Sequence, residues 1–262
     1  MKRQFQKINR KASMFMEPFW AIIIMVLLWQ AVVWTGAIPA YSLPSPAAVA
    51  QGLWELTSSG RLFKSVVASL FRVTWGYYLA ALTAIPLGLV MGTIPVVRRT
   101  LNPLIQFLRP ISPLAWIPLA LIWFGIGDPP AIFLIFLSCF FPMTLFTMSG
   151  VASIRPTFIR VAENFGLSRR EKYLRIILPA ALPEIVTGLR VTLGTAWLVI
   201  VAAEMIAVKS GLGFLILDAR NSLRMDYVVA GMVVIGLIGL LLDLLMQRME
   251  RLPAVIWKRL ER

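Results

Sequence analysis

The sequence predicts an all-α integral membrane protein with about six transmembrane helices. Of its 262 residues, 59% are hydrophobic and only 15% are charged. Several apolar runs approach the roughly 20 residues that a helix needs to cross a bilayer. The single cysteine, Cys139, lies in such a run, so we expect no disulfide framework. A net charge of +14 would suggest nucleic acid in a soluble chain, but here most of the charge lies between apolar segments. That pattern indicates orientation in a membrane.

Six apolar segments give the expected order of elements. They lie at about 18–36, 64–91, 104–124, 131–151, 183–208 and 227–246. The third segment contains Pro110, Pro113 and Pro118. It should be broken or kinked, because a proline ring interrupts the backbone hydrogen bonding of a helix. A possible interfacial helix is expected at 47–56, and a polar connection is expected before the sixth segment.

Lysine and arginine are distributed unevenly about these segments. With the N-terminus inside, 18 of the 26 fall in the inner connections and termini, including a short basic turn at Arg98 and Arg99. Five fall in the outer connections, and Arg72, Arg109 and Arg190 lie within segments. Because Lys and Arg are enriched on the cytoplasmic side, we expect both termini in the cytoplasm. Residues 1–17 would form a basic arm, 18–250 the transmembrane domain and 251–262 a tail.

A basic stretch at 153–179, which we call the polar loop, separates two long apolar segments. Pro156 suits the first position of a helix, where its missing N–H costs nothing. Phe158, Ala162 and Phe165 then recur at a spacing that places them on one helix face. The first part of the polar loop is therefore predicted to be a short amphipathic helix.

The second part of the polar loop predicts a tight corner and a second helix. Gly166 can take the left-handed conformation that closes a helix. The spacing of Ser168 and Glu171 is that of a capping box, which starts a helix. This second helix should stop or kink at Pro179.

The polar loop resembles the Glu-Ala-Ala loop of ABC-importer permease subunits. The family pattern is Glu-Ala-Ala, three residues, Gly, nine residues and Ile-x-Leu-Pro. The positions that match at the family's spacing are Ala162, Gly166, Ile176, Leu178 and Pro179. Arg160 and Val161 depart from the pattern, since Glu and Ala are usual there. That departure weakens any specific role for the family's Glu.

The resemblance implies that this loop holds a cytoplasmic coupling helix, between spans 4 and 5, that docks on an ATPase. The contact residues carried over to this sequence are Arg160, Val161, Ala162, Glu163, Phe165, Gly166 and Leu167. The residues that would frame the loop are Ile176, Leu178 and Pro179.

The resemblance covers roughly residues 60–250. Similarity to permeases for nitrate, bicarbonate, cyanate, taurine and other sulfonates extends over 108–127, 178–190 and 201–205. It implies a type I ABC importer (MetI-like) fold with its transmembrane core at about 63–247, in the inner membrane of a bacterium. The implied function is to move a small oxyanion, of the nitrate/bicarbonate or taurine/alkanesulfonate class, into the cytoplasm by alternating access.

The partners implied by the resemblance are a second copy of the permease, two cytoplasmic ABC ATPase subunits, an extracytoplasmic substrate-binding protein and membrane lipid. The sequence contains no Gly-x4-Gly-Lys-Ser/Thr phosphate loop. We therefore expect the chain to bind no cofactor itself and to be no enzyme, with ATP and Mg²⁺ bound by the ATPase subunits. We expect no nucleic acid partner.

Ionisable residues within apolar segments are the candidates for a translocation pathway. Such residues are costly at membrane depth and usually face protein or a water-filled cavity. Arg72 or Arg190 could guide an anion, or either could pair with Glu204. Pro113 and Trp116 in the broken third segment are further candidates, because irregular backbone is tolerated where it lines a cavity. A packed proline kink is the alternative for these two residues.

Two other classes of function compete with the importer. An ATP-independent secondary transporter or channel should show inverted repeats or acidic relays within spans, and neither is evident. A membrane-embedded enzyme is disfavoured because histidine is absent and carboxylates do not cluster within the segments. The substrate itself is not readable from this chain, since a binding protein usually selects it. Ser112 in Arg-Pro-Ile-Ser-Pro slightly favours the nitrate/bicarbonate branch.

Overall fold

The computed structural model describes residues 20–39 and 41–250, and within them the regular structure is entirely helical. The predicted arm at 1–17 and tail at 251–262 lie outside the described residues. The elements in chain order are α1 (Trp20–Trp34), α2 (Pro46–Ser58), α3 (Arg61–Thr93), α4 (Pro95–Leu108), a 3₁₀ turn (Pro113–Trp116), α5 (Ile117–Phe124), α6 (Asp128–Ala152), α7 (Pro156–Asn164), α8 (Arg169–Lys172), a π-helical turn (Tyr173–Ile177), α9 (Leu178–Ala207), α10 (Leu212–Asn221) and α11 (Met225–Glu250).

Four long helices within the described residues are apolar enough to cross a membrane. They are Arg61–Thr93, Asp128–Ala152, Arg169–Ala207 and Met225–Glu250. A fifth span is possible if Pro95–Leu108 and Pro113–Phe124 are taken together, with a bend of 86° between them. The predicted break in the third segment is therefore confirmed. The described part of the predicted first span is the shorter helix α1.

Two predicted connections are wrong, because both are helices. The basic turn at Arg98 and Arg99 is part of α4, which begins at Pro95 in the first-turn position that suits proline. The polar connection expected before the sixth segment contains the helix α10. Its buried residues Leu212, Leu215 and Ala219 recur at helical spacing on one face, and that pattern outweighs the charges between them.

The described residues form two compact units. One comprises residues 20–39, 41–62 and 216–233, and the other comprises 63–215 and 234–250. In the first unit, α2 begins after Ser45, whose hydroxyl accepts a hydrogen bond from the backbone N–H of Ala48. Its buried face holds Val49 and Leu56. A helix was predicted here, and its existence is confirmed.

In the second unit, helices approach closely at glycines. A Cβ atom at Gly76 of α3 would lie 2.7 Å from Cβ of Ile135 on α6. One at Gly188 of α9 would lie 2.6 Å from Cβ of Phe146 on α6. Without a hydrophobic driving force in lipid, helices associate through such close packing. The three helices therefore form a tightly packed bundle that holds the sites described below.

Candidate functional site

The polar loop is a corner whose backbone groups are satisfied on both sides of Gly166. The N–H of Leu167 donates to the carbonyl of Ala162 at 3.1 Å, and that of Gly166 donates to Glu163 at 2.9 Å. This pair of bonds is a Schellman motif, which requires a left-handed residue at its centre. Gly166 has φ +67° and supplies that residue. The predicted glycine corner is confirmed.

The helix after the corner begins with the predicted capping box. The Ser168 N–H donates to Glu171 Oε2 at 3.0 Å, and the Glu171 N–H donates to Ser168 Oγ at 3.3 Å. Across the corner, Lys172 Nζ donates to Glu163 Oε1 at 3.1 Å. These bonds join α7 to α8 across the corner, and the capping box satisfies backbone donors that the start of a helix otherwise leaves without a partner.

The two faces of α7 differ from the predicted pattern. Ala162 is 1% exposed and faces the bundle, and Ile159 packs against the cluster formed by Val151, Ile177, Ala181 and Ile185. The outward apolar residues are Phe158, Val161 and Phe165, the last of which is 81% exposed. The expected single face of Phe158, Ala162 and Phe165 is therefore wrong. Ala162 anchors the helix on its own bundle, while the other two residues lie outside.

The other residues predicted to contact an ATPase are mostly at the surface. Arg160 and Glu163 are exposed, and Leu167 is half-buried. The framing residues Ile176, Leu178 and Pro179 are half-buried at the start of the long helix. The structure therefore brings the predicted residues together on one corner and divides them between its outer and inner sides.

The helix after the capping box does not stop at Pro179, so the predicted stop is wrong. Residues Arg169–Ala207 form one helix of 39 residues. A π-helical turn, Tyr173–Ile177, precedes Pro179 and accommodates it at the second position of α9. At that position the missing N–H of proline is tolerated. The Tyr173 hydroxyl also contacts that of Thr93 at the end of α3. The polar loop is thus continuous with a membrane-spanning helix.

A buried ion cluster joins α3 to α9 near the other end of that helix. Arg72 is 2% exposed and Glu204 is 0% exposed. The Arg72 Nη1 donates to Glu204 Oε1 at 2.6 Å and to the carbonyl of Ser210 at 2.9 Å. Its Nε donates to Asp128 Oδ1 at 2.7 Å, and its Nη2 donates to the Ser210 hydroxyl. Of the two predicted roles for Arg72, pairing with Glu204 is the one observed.

The Glu204 carboxylate is saturated by further donors that sequence reasoning did not identify. The Ser69 hydroxyl lies 2.8 Å from both carboxylate oxygens and accepts from the Leu212 N–H at 2.9 Å. The Gly213 N–H donates to Glu204 Oε2 at 2.9 Å. Gly211 has φ +101°, and a Cβ atom there would collide with the same carboxylate. The two glycines just beyond α9, Gly211 and Gly213, are the sequence feature that indicates this close approach of the backbone to a side chain.

Asp128 is the exposed member of the cluster. Its side chain is 49% exposed, against 3% for Arg72. It lines a groove of about 390 Å³, whose walls include Phe63, Val67 and Phe71 of α3. Within residues 20–39 and 41–250, no group of three or more His, Cys, Asp or Glu is arranged to hold a metal ion. The cluster is therefore an ion-pair network.

Arg190 does not pair with Glu204, so the pairing of these two residues that the sequence left open is wrong. Its Nε and Nη2 donate to the two oxygens of Asp243 at 2.8 and 3.1 Å, and its Nη1 donates to Glu250 at 2.9 Å. This two-point geometry suits the planar guanidinium. It ties α9 to α11. Both arginines proposed for anion guidance are thus engaged by carboxylates of this chain.

The break in the third segment lies at residues 109–112. Pro113 and Trp116 bound the 3₁₀ turn that follows it, and both are half-buried. The hydroxyl of Ser112 makes no capping bond to that turn. Pro113 and Trp116 lie at the two ends of this one turn. Among the described residues, no hydrogen bond joins either of them to Arg72, Arg190 or Glu204.

Comparison with known proteins gives consistent matches over most of the chain. The family model described as "Binding-protein-dependent transport system inner membrane component" matches residues 84–253. The taurine transport system permease protein TauC of Escherichia coli is 40% identical over 235 residues, which cover 88% of this chain and 86% of TauC. The bicarbonate transport system permease protein CmpB of Synechocystis is 37% identical over 251 residues, with 91% and 89% covered. An inward-facing structure of the MetNI methionine ABC transporter superposes with a TM-score of 0.65 at 18% identity, covering 72% of this chain and 94% of that chain.

An all-helical, multi-pass chain that carries buried ion pairs and a rigid helical corner has the architecture of a membrane transport subunit. The chain belongs to the family of binding-protein-dependent transport system inner membrane components. It is a permease of an ABC importer, a non-catalytic subunit of the inner membrane. The predicted type I importer fold is confirmed by the likeness to the MetNI structure.

Proposed function

We propose that this permease moves a small oxyanion, of the nitrate/bicarbonate or taurine/alkanesulfonate class, into the cytoplasm. Support for that class comes from relatives named for taurine and bicarbonate transport that match over most of their own length. The observation that carries the importer mechanism is the polar loop. Its exposed apolar residues, Phe158, Val161 and Phe165, are fixed on a corner that continues into a spanning helix.

The polar loop would serve as the coupling element for a partner ATPase. An amphipathic helix with exposed apolar side chains fits a hydrophobic groove on another protein. Phe158, Val161 and Phe165 would enter that groove, while Arg160 and Glu163 would lie at its polar rim. Ala162, Gly166 and Leu167 would hold the corner in shape. Closure of the ATPase pair would then tilt the attached spans as a rigid body.

The assembly would contain two copies of this chain, two ABC ATPase subunits and one extracytoplasmic binding protein. ATP and Mg²⁺ would be bound by the ATPase subunits. The lysine and arginine distribution supports an orientation with both termini and the polar loop in the cytoplasm.

Pro113 and Trp116 would line the translocation pathway at the break in the third segment, where helical hydrogen bonding is interrupted. Arg72, Arg190 and Glu204 would brace the helices around it, because their charged groups are already engaged within the chain. An anion would then meet backbone and aromatic groups at the break and no free guanidinium from these two arginines.

The test is reconstitution of the permease with its ATPase and its binding protein in vesicles. We expect ATP-dependent uptake of radiolabelled taurine, an alkanesulfonate, bicarbonate or nitrate, with the others as competitors. An ATPase variant that cannot hydrolyse ATP is the control and should give no uptake. Uptake by the permease alone would contradict the proposal and favour a secondary transporter or channel.

A further inference from the structure

The turn between α10 and α11 closes with a leucine in a position that normally belongs to glycine. The Arg224 N–H donates to the carbonyl of Ala219 at 2.9 Å, and the Leu223 N–H donates to Arg220 at 3.1 Å. These bonds form a Schellman motif, and Leu223 is its central residue with φ +56°. Within residues 20–39 and 41–250 it is the one non-glycine residue with positive φ. A left-handed leucine is strained, because its Cβ crowds the following carbonyl.

Packing against the described residues does not offset that strain. Leu223 is 76% exposed. The same motif at the polar loop has a glycine, Gly166, at φ +67°. The chain therefore closes one Schellman motif with glycine and another with leucine, and leucine has the higher backbone energy in that conformation. Strained residues persist where the surrounding structure fixes them, and they concentrate at functional sites.

The turn is held firmly on α2, within the same compact unit. The Arg224 Nη2 donates to Glu55 at 2.9 Å and to Asp226 at 2.7 Å. The Arg224 guanidinium also lies 3.8 Å from the centre of the Tyr227 ring, and the Tyr227 hydroxyl donates to Glu55 at 2.7 Å. The exposed leucine is thus presented in a fixed direction, which lowers the entropy that a binding partner would have to remove.

A cation, Arg220, lies three residues before the leucine in the last turn of α10. Arg220 is exposed and makes a long hydrogen bond of 3.4 Å to the amide of Asn221. It forms no ion pair with a carboxylate of the described part of the chain. The turn therefore offers an apolar side chain next to an uncompensated positive charge. A complementary surface would carry an apolar pocket beside a carboxylate.

We propose that Leu223 and Arg220 form a docking contact for the extracytoplasmic substrate-binding protein. The proposal rests on the proposed function and on the orientation, which together place this turn outside the cell. A shaped protein pocket requires one side chain in one direction, which accounts for a strained leucine. Lipid accepts an apolar side chain at any unstrained position of the turn and so gives no reason for the strain.

The experiment uses the complete permease–ATPase complex in lipid nanodiscs and the binding protein that supports uptake with it in vesicles. Leu223→Gly relieves the strain and removes the side chain, so the permease should be at least as stable as the parent. We expect its affinity for the binding protein to fall about tenfold or more, since a leucine side chain is no longer buried. Arg220→Ala should lower affinity more in low salt than in high salt. Leu223→Met keeps an apolar side chain and should bind like the parent.

Ser222→Ala is the matched control, because it lies in the same turn and changes neither the charge nor the apolar contact. Stimulation of ATP hydrolysis by the binding protein should follow the affinities. Parent-like binding by Leu223→Gly and Arg220→Ala would overturn the proposal and leave the importer function intact. So would a lower yield of membrane-inserted Leu223→Gly with unchanged binding, which would indicate a lipid contact. Failure of the parent complex to couple ATP hydrolysis to uptake would instead refute the proposed function.

Discussion

Arg72 and Glu204 form an ion pair of 2.6 Å in which Glu204 is completely buried and Arg72 almost so. The pair joins the spanning helices α3 and α9, and its two residues are 132 positions apart in the sequence. Removing one member of a buried pair leaves an uncompensated buried charge, whereas removing both leaves only the half-exposed carboxylate of Asp128 without its partner. The pair therefore predicts a strongly non-additive response to mutation.

We expect Arg72→Met and Glu204→Met alone each to destabilise the permease by about 3–5 kcal/mol. The double variant should be closer to the parent than either single variant. The measurement is thermal unfolding of the purified permease, with all four proteins compared in one cycle. Arg61→Ala is the control, because its pair with Asp218 is exposed and such pairs contribute about 0–1 kcal/mol. Additive losses in the double variant would contradict an energetic coupling.

Gly166→Leu should leave the permease folded and uncouple it from the ATPase. The backbone cost is about 1–2 kcal/mol, and Leu223 shows that this chain accepts leucine in the same motif. No atom of the described chain lies within 4 Å of a Cβ at Gly166. The leucine would therefore project into the space that we assign to the ATPase. Substrate-stimulated ATP hydrolysis and uptake are the measurements.

Gly60→Leu is the matched control for this prediction. Gly60 has φ +70° and equally open surroundings, so it carries the same backbone cost at a different place. Both variants should lose similar thermal stability, and only Gly166→Leu should lose coupling. Equal coupling in the two variants would remove the polar loop from its proposed role.

Phe165→Glu should abolish association with the ATPase without unfolding the permease, because Phe165 is exposed and contributes little to the core. Thr157→Glu adds the same charge to an exposed residue at the other end of α7 and should assemble normally. Ala162→Arg should behave differently and reduce the yield of folded permease, since burying an unpaired charge is costly. Arg160→Ala should be mild. Co-purification with the ATPase measures all four, and assembly of Phe165→Glu at the parent level would contradict the proposed docking face.

The orientation can be tested with two engineered cysteines in a Cys139→Ala background. Asn164→Cys is preferred to a change at Ser168, because the Ser168 side chain caps α8. It should react only with reagent on the cytoplasmic side. Ser222→Cys, in the turn assigned to the outside, should react from outside intact cells. The opposite labelling pattern would reverse the assigned topology.

The pair between Glu55 and Arg224 predicts a dependence of stability on pH. Hydrogen bonds from Arg224, and then from Tyr227 and Gln51, hold the pKa of the Glu55 carboxyl below its ordinary value. A lowered pKa means that the stabilisation is complete above the ordinary pKa and is lost as the pH falls through the lowered one. Parent and Glu55→Gln should thus differ in melting temperature at neutral pH, and the difference should shrink as the pH falls below the ordinary carboxyl pKa of about 4.3. A difference that persists in acid would contradict this assignment.

The parts of the structure that the sequence predicts well are those set by neighbouring residues. The corner at Gly166 and the cap at Ser168 depend on residues within a few positions, and both occur as predicted. The break near Pro113 follows from the proline ring in the same way. The π-helical turn that carries the chain past Pro179 depends on packing against α3, which no local pattern indicates.

The candidate site was only partly predictable because its contacts join distant segments. The sequence restricted the partner of Glu204 to Arg72 or Arg190, and three-dimensional packing selected Arg72. The sequence pattern also grouped Ala162 with Phe158 and Phe165, since an amphipathic pattern does not reveal which apolar residues are covered by the chain's own bundle and which are left for a partner. Leu223 gave no signal, because leucine is not a residue that marks the end of a helix.

Because the helix from Arg169 to Ala207 is continuous, the length of the contact between Arg72 and Glu204 is sensitive to tilting of that helix. Its 39 residues span about 58 Å at 1.5 Å per residue. If this rod pivots about the end that carries the polar loop, a tilt of about 1° displaces the far end by about 1 Å. That end carries Glu204, whose contact with Arg72 is 2.6 Å long. A tilt of this size that α3 did not follow would therefore lengthen the contact beyond hydrogen-bonding distance.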